Sequence, residues 1–206
     1  MAEVLELATL RCAPLAQGDL SARLRDHLAG HPAGRFLGLW RTEFGAVGEL
    51  VLLRAFDCAE AQQDERLRQL HDPNPFGAGD LLTGLRLDRY RAFPFLPPVA
   101  APRHRGGIYE IRSYRLRPAG LAPTLAAWQA ALDPARSYVR HLVTAMQALD
   151  GPPRITHIWG FHSLEHRARL RARHYAAGSW PPAGAPAQIA QAQSAILLAE
   201  PGSPLS

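Results

Sequence analysis

The chain has 206 residues, 47% of them hydrophobic, with 23 basic and 18 acidic side chains and a formal net charge of +5. This composition suits one large domain or two of about a hundred residues, and it predicts no membrane span, because no apolar run reaches the roughly 18 residues of a transmembrane helix. The small excess of basic residues is a weak argument for a nucleic-acid partner, since such binding needs basic side chains clustered on one face.

The first half of the chain alternates between strand and helix signals. Short runs rich in branched and aromatic residues indicate strands, and apolar residues three or four positions apart indicate helices. In chain order the predicted elements are strand 4–12, helix 19–29, strand 35–43, strand 48–56, helix 58–70 and strand 85–93. The order β-α-β-β-α-β is that of a ferredoxin-like unit.

The second half carries the same signals in the same order. Ser163 is the predicted N-cap of its second helix, which begins at Leu164 with Glu165 in the first turn. The predicted elements are strand 108–116, helix 120–133, strand 138–148, strand 155–161, the helix from Leu164, and strand 194–199. A Pro-rich segment, 94–106, is the expected linker between repeats at 1–93 and 107–206.

Matching residues in the two halves support an internal repeat. Glu6 aligns with Glu110, and Phe56 aligns with Phe161, at a nearly constant spacing. We therefore expect an α+β chain of two tandem ferredoxin-like units. Each unit leaves one face of its sheet to be covered, so the two antiparallel sheets are expected to face each other in one barrel.

Three motifs carry a resemblance to the NIPSNAP family: WRTEFG at 40–45, YEIRSY at 109–114 and HIWGFHSL at 157–164. The resemblance implies a dimeric α/β-barrel fold made of tandem ferredoxin-like units, and we expect a homo-oligomer. The family supplies no agreed catalytic residues to transfer. The first half departs from the pattern, because Leu5 and Ala8 stand where the second half has Tyr109 and Arg112.

Localisation and cofactors have weaker signals. The N-terminus has no basic region before an apolar stretch, so a signal peptide is not indicated. Cys12 and Cys58 form no CxxC pair, and we expect a cytoplasmic protein with two free thiols. No sequence motif indicates a cofactor, although haem stays open because haem-binding proteins share the implied fold.

The candidate site comes from polar residues in regular strands. Alternation places Glu110, Arg112 and Tyr114 on one face of their strand, and His157 and Trp159 on one face of another. If these faces point into the space between the two sheets, one interior is lined by residues from both halves. The candidate ligand-binding residues are Glu6, Arg54, Glu110, Arg112, Tyr114, His157 and Trp159.

Two kinds of function fit this interior. A carboxylate, guanidinium, imidazole and phenol that converge could bind a small polar molecule or perform acid–base chemistry. Alternatively, they form a paired polar network that only holds the barrel together, as buried charges require, and the protein is a non-catalytic oligomeric scaffold. A connected cavity lined by these residues would favour the first alternative.

The helix from Leu164 is rich in Arg and His. Arg167 with Arg171, and Arg169 with Arg173, have helical i,i+4 spacing, and we expect a solvated face with an ion pair between Glu165 and Arg169. His162 and His166 share the same spacing, but no third metal ligand is evident. We predict a surface or capping role for these two, and no metal site.

Overall fold

A computed structural model describes residues 3–31, 33–101 and 106–206. The chain divides into two compact units. The first unit comprises its described residues up to Arg91, together with 100–101 and Leu197–Ser206, and the second comprises Ala92–Val99 and 106–196. The sequence-based division assigned all of 107–206 to the second repeat. Of the expected linker, residues 102–105 lie outside the described residues.

The first unit has the expected order of strands and helices. Its elements are β1 (Val4–Arg11), α1 (Gln17–Gly30), β2 (Arg35–Phe44), β3 (Glu49–Phe56), α2 (Ala59–His71) and β4 (Gly84–Ala92). The strands lie in the order β4-β1-β3-β2, and β1 pairs antiparallel with both β3 and β4. This is the ferredoxin-like order, so the prediction from the sequence is confirmed.

The last residues of the chain add to this first unit. The backbone N–H of Glu200 donates to the carbonyl of Leu39 at 2.9 Å, and that of Leu205 donates to the carbonyl of Leu37 at 3.1 Å. The hydroxyl of Ser203 also accepts from the N–H of Leu39 at 2.9 Å. The C-terminal segment is therefore fixed along β2 by backbone hydrogen bonds, which the repeat alone did not predict.

The second unit repeats the arrangement with one added turn of helix. Its elements are β5 (Ile108–Leu116), α3 (Leu121–Ala131), α4 (Arg136–Val139), β6 (Leu142–Ala148), β7 (Arg154–Phe161), α5 (Leu164–Ala176) and β8 (Ile189–Ala199). The strand order is β8-β5-β7-β6. The strand predicted from Tyr138 is wrong at its start: Tyr138 lies in α4, with its ring stacked on that of Trp159 at 4.7 Å. Burial of that ring overrides the local strand signal.

The two helices that follow β3 and β7 begin at equivalent caps. The hydroxyl of Ser163 accepts from the N–H of His166 at 3.1 Å, which confirms the predicted N-cap. In the first unit the thiol of Cys58 accepts from the N–H of Ala61 at 3.5 Å. Cys58 and the buried Cys12 are both free thiols.

Each sheet packs one face on the helices of its own unit. In the first unit Leu20 and Leu24 of α1 pack against Leu10 and Leu52. In the second unit the core is largely aromatic and includes Trp128 of α3. No helix in the ranges that the structure describes is long and apolar enough to cross a membrane.

Candidate functional site

The polar strand residues face the helices of their own unit. The carboxylate of Glu110 accepts a 2.8 Å hydrogen bond from Nε of Arg167 in α5. The ring of His157 lies 5.0 Å from that of Trp128 in α3. The expectation that this face points into the space between two sheets is therefore wrong. This polar face can pack on helices because α5 supplies Arg167, which pairs with Glu110, and α3 supplies Trp128, whose ring lies beside that of His157.

The seven candidate residues belong to two clusters, one in each unit. Glu6 and Arg54 lie in the first unit, where Arg54 is 1% exposed. The guanidinium of Arg54 donates to Glu6 at 3.1 Å and to Glu65 of α2 at 2.9 Å, with Phe76 over its face at 5.2 Å. Gln62 donates to the other oxygen of Glu6 at 2.7 Å. This network is closed, because its charges are paired with one another.

The second cluster centres on Glu110, which is fully buried. Its carboxylate accepts from Nε of Arg112 at 2.8 Å, from Arg167, and from the hydroxyl of Ser194 at 3.0 Å. Burial by itself raises the pKa of this carboxyl, but the hydrogen bonds from Arg167 and the charge of Arg112 outweigh it and lower the pKa to about 2. Two guanidinium groups therefore share one carboxylate, and the cluster is left with a net positive charge.

The repeat explains this difference between the clusters. In the first unit Arg54 lies opposite Glu6 across β1 and β3, whereas in the second unit Trp159 lies opposite Glu110 across β5 and β7. The cation has moved to Arg112 on β5, beside the carboxylate and with Tyr114 as a second partner at 3.2 Å. Arg112 therefore bonds to one carboxylate, that of Glu110, whereas Arg54 bonds to two.

A cavity of about 250 Å³ lies beside Arg112 in the second unit. The described residues around it include two cations and no Asp or Glu. Aromatic, proline and aliphatic side chains form most of the wall. The lining residues are Arg112, Tyr114, Thr124, Trp128, Ile155, His157, Arg171, Tyr175, Trp180, Pro181, Pro182, Ala185, Pro186 and Ile189.

His157 lines this cavity with a buried ring. The side chain is 2% exposed, and its Nδ1 accepts a 2.6 Å hydrogen bond from the indole N–H of Trp159. Burial, followed by the charge of Arg112, lowers the pKa of His157 to about 3. The ring is therefore neutral with its proton on Nε2. That N–H has no hydrogen-bond partner among the described residues, although buried polar groups are nearly always paired.

Four aromatic side chains belong to the lining, together with proline and aliphatic residues. Trp128 and Trp180 meet nearly at right angles, 88°, with centroids 5.0 Å apart. Tyr114 approaches His157 edge to face at 5.0 Å. The cavity thus has polar groups from Arg112 and His157, and its remaining wall is a mixture of aromatic, proline and aliphatic side chains.

Several residues of the cavity were missed from the sequence. Arg167 and Arg171 were expected on a solvated face, but Arg167 binds Glu110 and Arg171 lines the cavity. The pair between Glu165 and Arg169 is present and exposed, as predicted. Trp180 lies in a loop after α5, where no periodic pattern could indicate a buried ring. The i,i+4 spacing of Arg167, Arg171 and Tyr175 was the sequence signal that could have placed these three side chains on one face of the helix.

The described residues offer no place for a metal ion or for haem in this cavity. Within the part of the chain that the structure describes, no three His, Cys, Asp or Glu side chains are placed to hold a metal ion. Pockets for drug-sized ligands occupy about 300–1,000 Å³, and haem is larger than such ligands. The cavity beside Arg112, at about 250 Å³, is smaller than such pockets and does not fit haem.

Comparisons with known proteins agree with the family resemblance. Residues 109–204 match the family model for NIPSNAP, which confirms the resemblance over that part of the chain. An uncharacterized NIPSNAP domain protein from Burkholderia xenovorans is 19% identical, with 46% of this chain and 98% of that chain covered and a TM-score of 0.39. The comparison with curated proteins gave no match.

Two solved structures resemble the chain over almost its whole length. An anthrone oxidase-like protein is 13% identical, with a TM-score of 0.67 and coverage of 97% of this chain and 92% of that chain. A mutant chlorite dismutase from Candidatus Nitrospira defluvii is 12% identical, with a TM-score of 0.62 and coverage of 97% and 92%. At these identities the likeness shows a shared fold.

Proposed function

We propose that the NIPSNAP domain of this chain binds a small organic anion in the cavity between its sheet and its helices. The observation that carries the proposal is a cavity of about 250 Å³ whose described lining holds Arg112 and Arg171 and no Asp or Glu. Such a lining favours an anion, because the oxygens of an anion accept hydrogen bonds from guanidinium N–H groups. The fold likeness to an anthrone oxidase-like protein is consistent with a small-molecule site.

Neither Glu110 nor His157 is available as a base at the polar end of the site. Glu110 stays ionised and bonded, because its pKa is lowered to about 2 by Arg167 and Arg112 against the opposing effect of burial. The basic nitrogen of His157 is occupied by the indole N–H of Trp159. Neither group is free to accept a proton from a ligand. The geometry therefore supports binding of an anion, and the acid–base role considered from the sequence has no available base in these two residues.

The scaffold alternative describes the first unit better than the second. Arg54 is enclosed by Glu6, Glu65 and Phe76, and Glu65 also accepts a 2.7 Å hydrogen bond from Arg68, so each carboxylate has a cation beside it. A network of this kind holds a helix to a sheet without any ligand. We therefore assign Glu6 and Arg54 to structural support, and we place the ligand-binding role in the second unit. Oligomer formation and a cytoplasmic location remain part of the proposal.

A thermal-shift experiment tests the anion site. Benzoate and cyclohexanecarboxylate are added to the full chain, beside their neutral methyl esters, at concentrations well above the expected dissociation constants. Ligands that bind only the folded state raise the midpoint of unfolding, by an amount that corresponds to about 2.7 kcal/mol at a hundredfold excess over Kd. We expect at least one carboxylate, and neither ester, to do so.

The matched variants are Arg112→Met and Arg169→Met. Arg112→Met removes the cation at the cavity but leaves Glu110 bonded to Arg167, so the variant is expected to fold. Arg169 is an exposed residue of α5 outside the cavity wall, and its variant loses the same charge. The proposal requires the shift to disappear in the first variant and to persist in the second. Equal shifts in both variants, or no shift with any carboxylate, would overturn it.

A further inference from the structure

We infer that the ligand is a short dicarboxylate, with one carboxylate at Arg112 and Tyr114 of β5 and the other at Arg171 and Tyr175 of α5. The inference rests on the proposed function and adds the chemical class of the ligand. Three features of the second unit carry it: the way the side chains of α5 follow those of β5, two Arg–Tyr pairs in the cavity wall, and an excess of positive charge.

The side chains of α5 meet those of β5 at two successive levels. At the first level, Nε of Arg167 donates to Glu110 at 2.8 Å. One turn further along α5 is Arg171, and two residues further along β5 is Arg112, which are steps of about 6 Å and about 7 Å. Arg171 and Arg112 form the second level, and both line the cavity. The strand and the helix thus each contribute a cation at the second level, where the first has a cation and a carboxylate.

The first unit has the first level but not this pair of cations. Gln62 of α2 donates to Glu6 of β1 at 2.7 Å, at the place equivalent to the first level of the second unit. At the next level the strand has Ala8, and Arg66 on the helix donates to the backbone carbonyl of Leu87 at 2.6 Å. The pair of cations is therefore particular to the second unit and is not required by the repeat.

Each cation of the second level donates to a tyrosine hydroxyl. Nη1 of Arg112 donates to Tyr114 at 3.2 Å, and Nη2 of Arg171 donates to Tyr175 at 2.8 Å. Glu110 and Tyr114 occupy at most three of the five N–H groups of Arg112, so that guanidinium has donors left for a ligand. A hydroxyl that accepts a hydrogen bond also keeps its own O–H to donate. Each Arg–Tyr pair therefore combines N–H and O–H donors, which suit the two oxygens of one carboxylate.

The second pair lies within reach of a ligand from solvent. Tyr175 is 43% exposed, and Arg171 and Tyr114 are both half-buried. Arg112 is 8% exposed and is the most enclosed of the four side chains. One carboxylate would therefore bind at the inner pair on β5, and the other would bind nearer the surface at the pair on α5.

The charges around the cavity favour a dianion over a monoanion. The described lining holds no Asp or Glu, and the carboxylate of Glu110, which Arg112 contacts, is shared with Arg167. These three residues and Arg171 together carry two positive charges in excess. A dianion would neutralise both, whereas a monoanion would leave one cation without a counterion.

The volume and the rest of the lining limit the length of the ligand. At about 30 Å³ for each water, a cavity of about 250 Å³ has room for about eight waters. That space suits a dicarboxylate of about four to six carbons and is too small for a nucleotide. Pro181, Pro186 and Ile189 belong to the lining and are at least partly exposed. They offer apolar contact to the methylene groups between the two carboxylates.

The test compares two ligands of nearly the same length that differ by one charge. Glutarate and its monomethyl ester are titrated into the full chain by calorimetry at low ionic strength, with sulfate as a compact dianion. Because the ester loses the charge-assisted hydrogen bonds of one carboxylate, we expect glutarate to bind about tenfold more tightly. Sulfate should bind more weakly than glutarate, since one compact group cannot occupy both Arg–Tyr pairs.

Arg171→Gln separates the second carboxylate contact from the first. The substitution should remove most of the preference for glutarate and change the affinity for the monomethyl ester by less than about threefold, because Arg112 is retained. The control Arg169→Gln removes an exposed cation of the same helix that lies outside the lining, and it should keep the preference.

The outcomes distinguish the inference from the proposed function. Equal affinities for glutarate and its monomethyl ester, or tighter binding of sulfate than of glutarate, would overturn the dicarboxylate class while an anion site remained. A preference for glutarate that Arg171→Gln does not reduce would also overturn it. Failure of every anion to bind, benzoate included, would overturn the proposed function together with the inference.

Discussion

The indole N–H of Trp159 donates a 2.6 Å hydrogen bond to Nδ1 of His157, two residues earlier on the same strand. Residues two apart on a strand project to the same face, so both rings lie beneath the helices of the second unit. The bond fixes which nitrogen of the imidazole carries the proton, because Nδ1 accepts and Nε2 is then the protonated nitrogen. One strand thus supplies both the imidazole and the group that sets its tautomer.

The tautomer of His157 can be observed directly. We expect a neutral ring protonated on Nε2 at pH 7, because Nδ1 is an acceptor for Trp159. Nitrogen-15 correlation spectra of the imidazole distinguish the two tautomers. In Trp159→Phe the preference for Nε2–H should weaken, and the unpaired Nδ1 should cost about 1–3 kcal/mol of stability. A wild-type ring protonated on Nδ1, or on both nitrogens, would contradict the geometry.

The burial of His157 predicts a pH dependence of stability. Its pKa is about 3 in the folded protein, lowered by burial and by Arg112, against an ordinary value of 6.5. The unfolded chain therefore binds one more proton between these values. The contribution to stability is fully present above pH 6.5 and is lost as pH falls below it, with a slope of up to about 1.4 kcal/mol per pH unit.

Urea unfolding of wild type and His157→Leu between pH 4.5 and 8 measures that slope. Leucine is the residue at the equivalent place in the first unit, Leu52, so the substitution suits the fold. The variant is expected to lose stability at every pH but to show a shallower fall on acidification, by about one proton. If the free energies of unfolding of the two proteins fell in parallel below pH 6.5, the assignment of a neutral His157 would be refuted.

The two clusters should respond differently to loss of their central Arg. Arg54→Met leaves Glu6 and Glu65 without their shared cation, and removal of one member of a buried ion pair costs about 3–5 kcal/mol. Arg112→Met leaves Glu110 with Arg167, so the cost should stay below about 2 kcal/mol, near the low end for a hydrogen bond to a charged group. Denaturant unfolding gives both values, with the exposed Arg169→Met as the control. If Arg112→Met proved the more destabilising, the second cluster would be the structural one.

The equivalent helix caps predict opposite effects of two small substitutions. Ser163→Ala removes the hydroxyl that accepts from the N–H of His166 and should cost about 1 kcal/mol. Cys58→Ser replaces a weak sulfur acceptor with a strong oxygen acceptor at the equivalent cap, so it should raise stability by up to about 1 kcal/mol. Calorimetric midpoints of the two variants check the pair. Destabilisation by Cys58→Ser would show that the thiol is more than a cap.

Periodicity predicted which side chains share a face, but not the direction of that face. Glu110 and Arg112 are neighbours, as alternation requires. Tyr109 and Glu110 are both fully buried, however, so the strand is covered on both sides. In such a strand polarity does not tell which face meets the helices. The decisive partner, Arg167, lies 57 residues away, where the pattern alone indicated a solvated helix face.

The repeat was the more informative signal for the fold. Matching Glu6 with Glu110 placed both in the first strand of a ferredoxin-like unit, and the two sheets have the same strand order. The same alignment sets Arg54 against Trp159, and that exchange distinguishes a closed ion network from a cavity. The size of the cavity could not be predicted, because part of its wall comes from the loop that carries Trp180, and the sequence pattern does not indicate where that loop lies.

A crystal structure with 4-bromobenzoate is the sharpest test of the anion site, because anomalous scattering from bromine locates the ligand without ambiguity. We expect the bromine in the cavity beside Arg112 in the second unit, with the carboxylate oxygens within hydrogen-bond distance of the Arg112 guanidinium. Bromine bound only elsewhere, or a carboxylate turned away from Arg112 at saturating ligand, would contradict it.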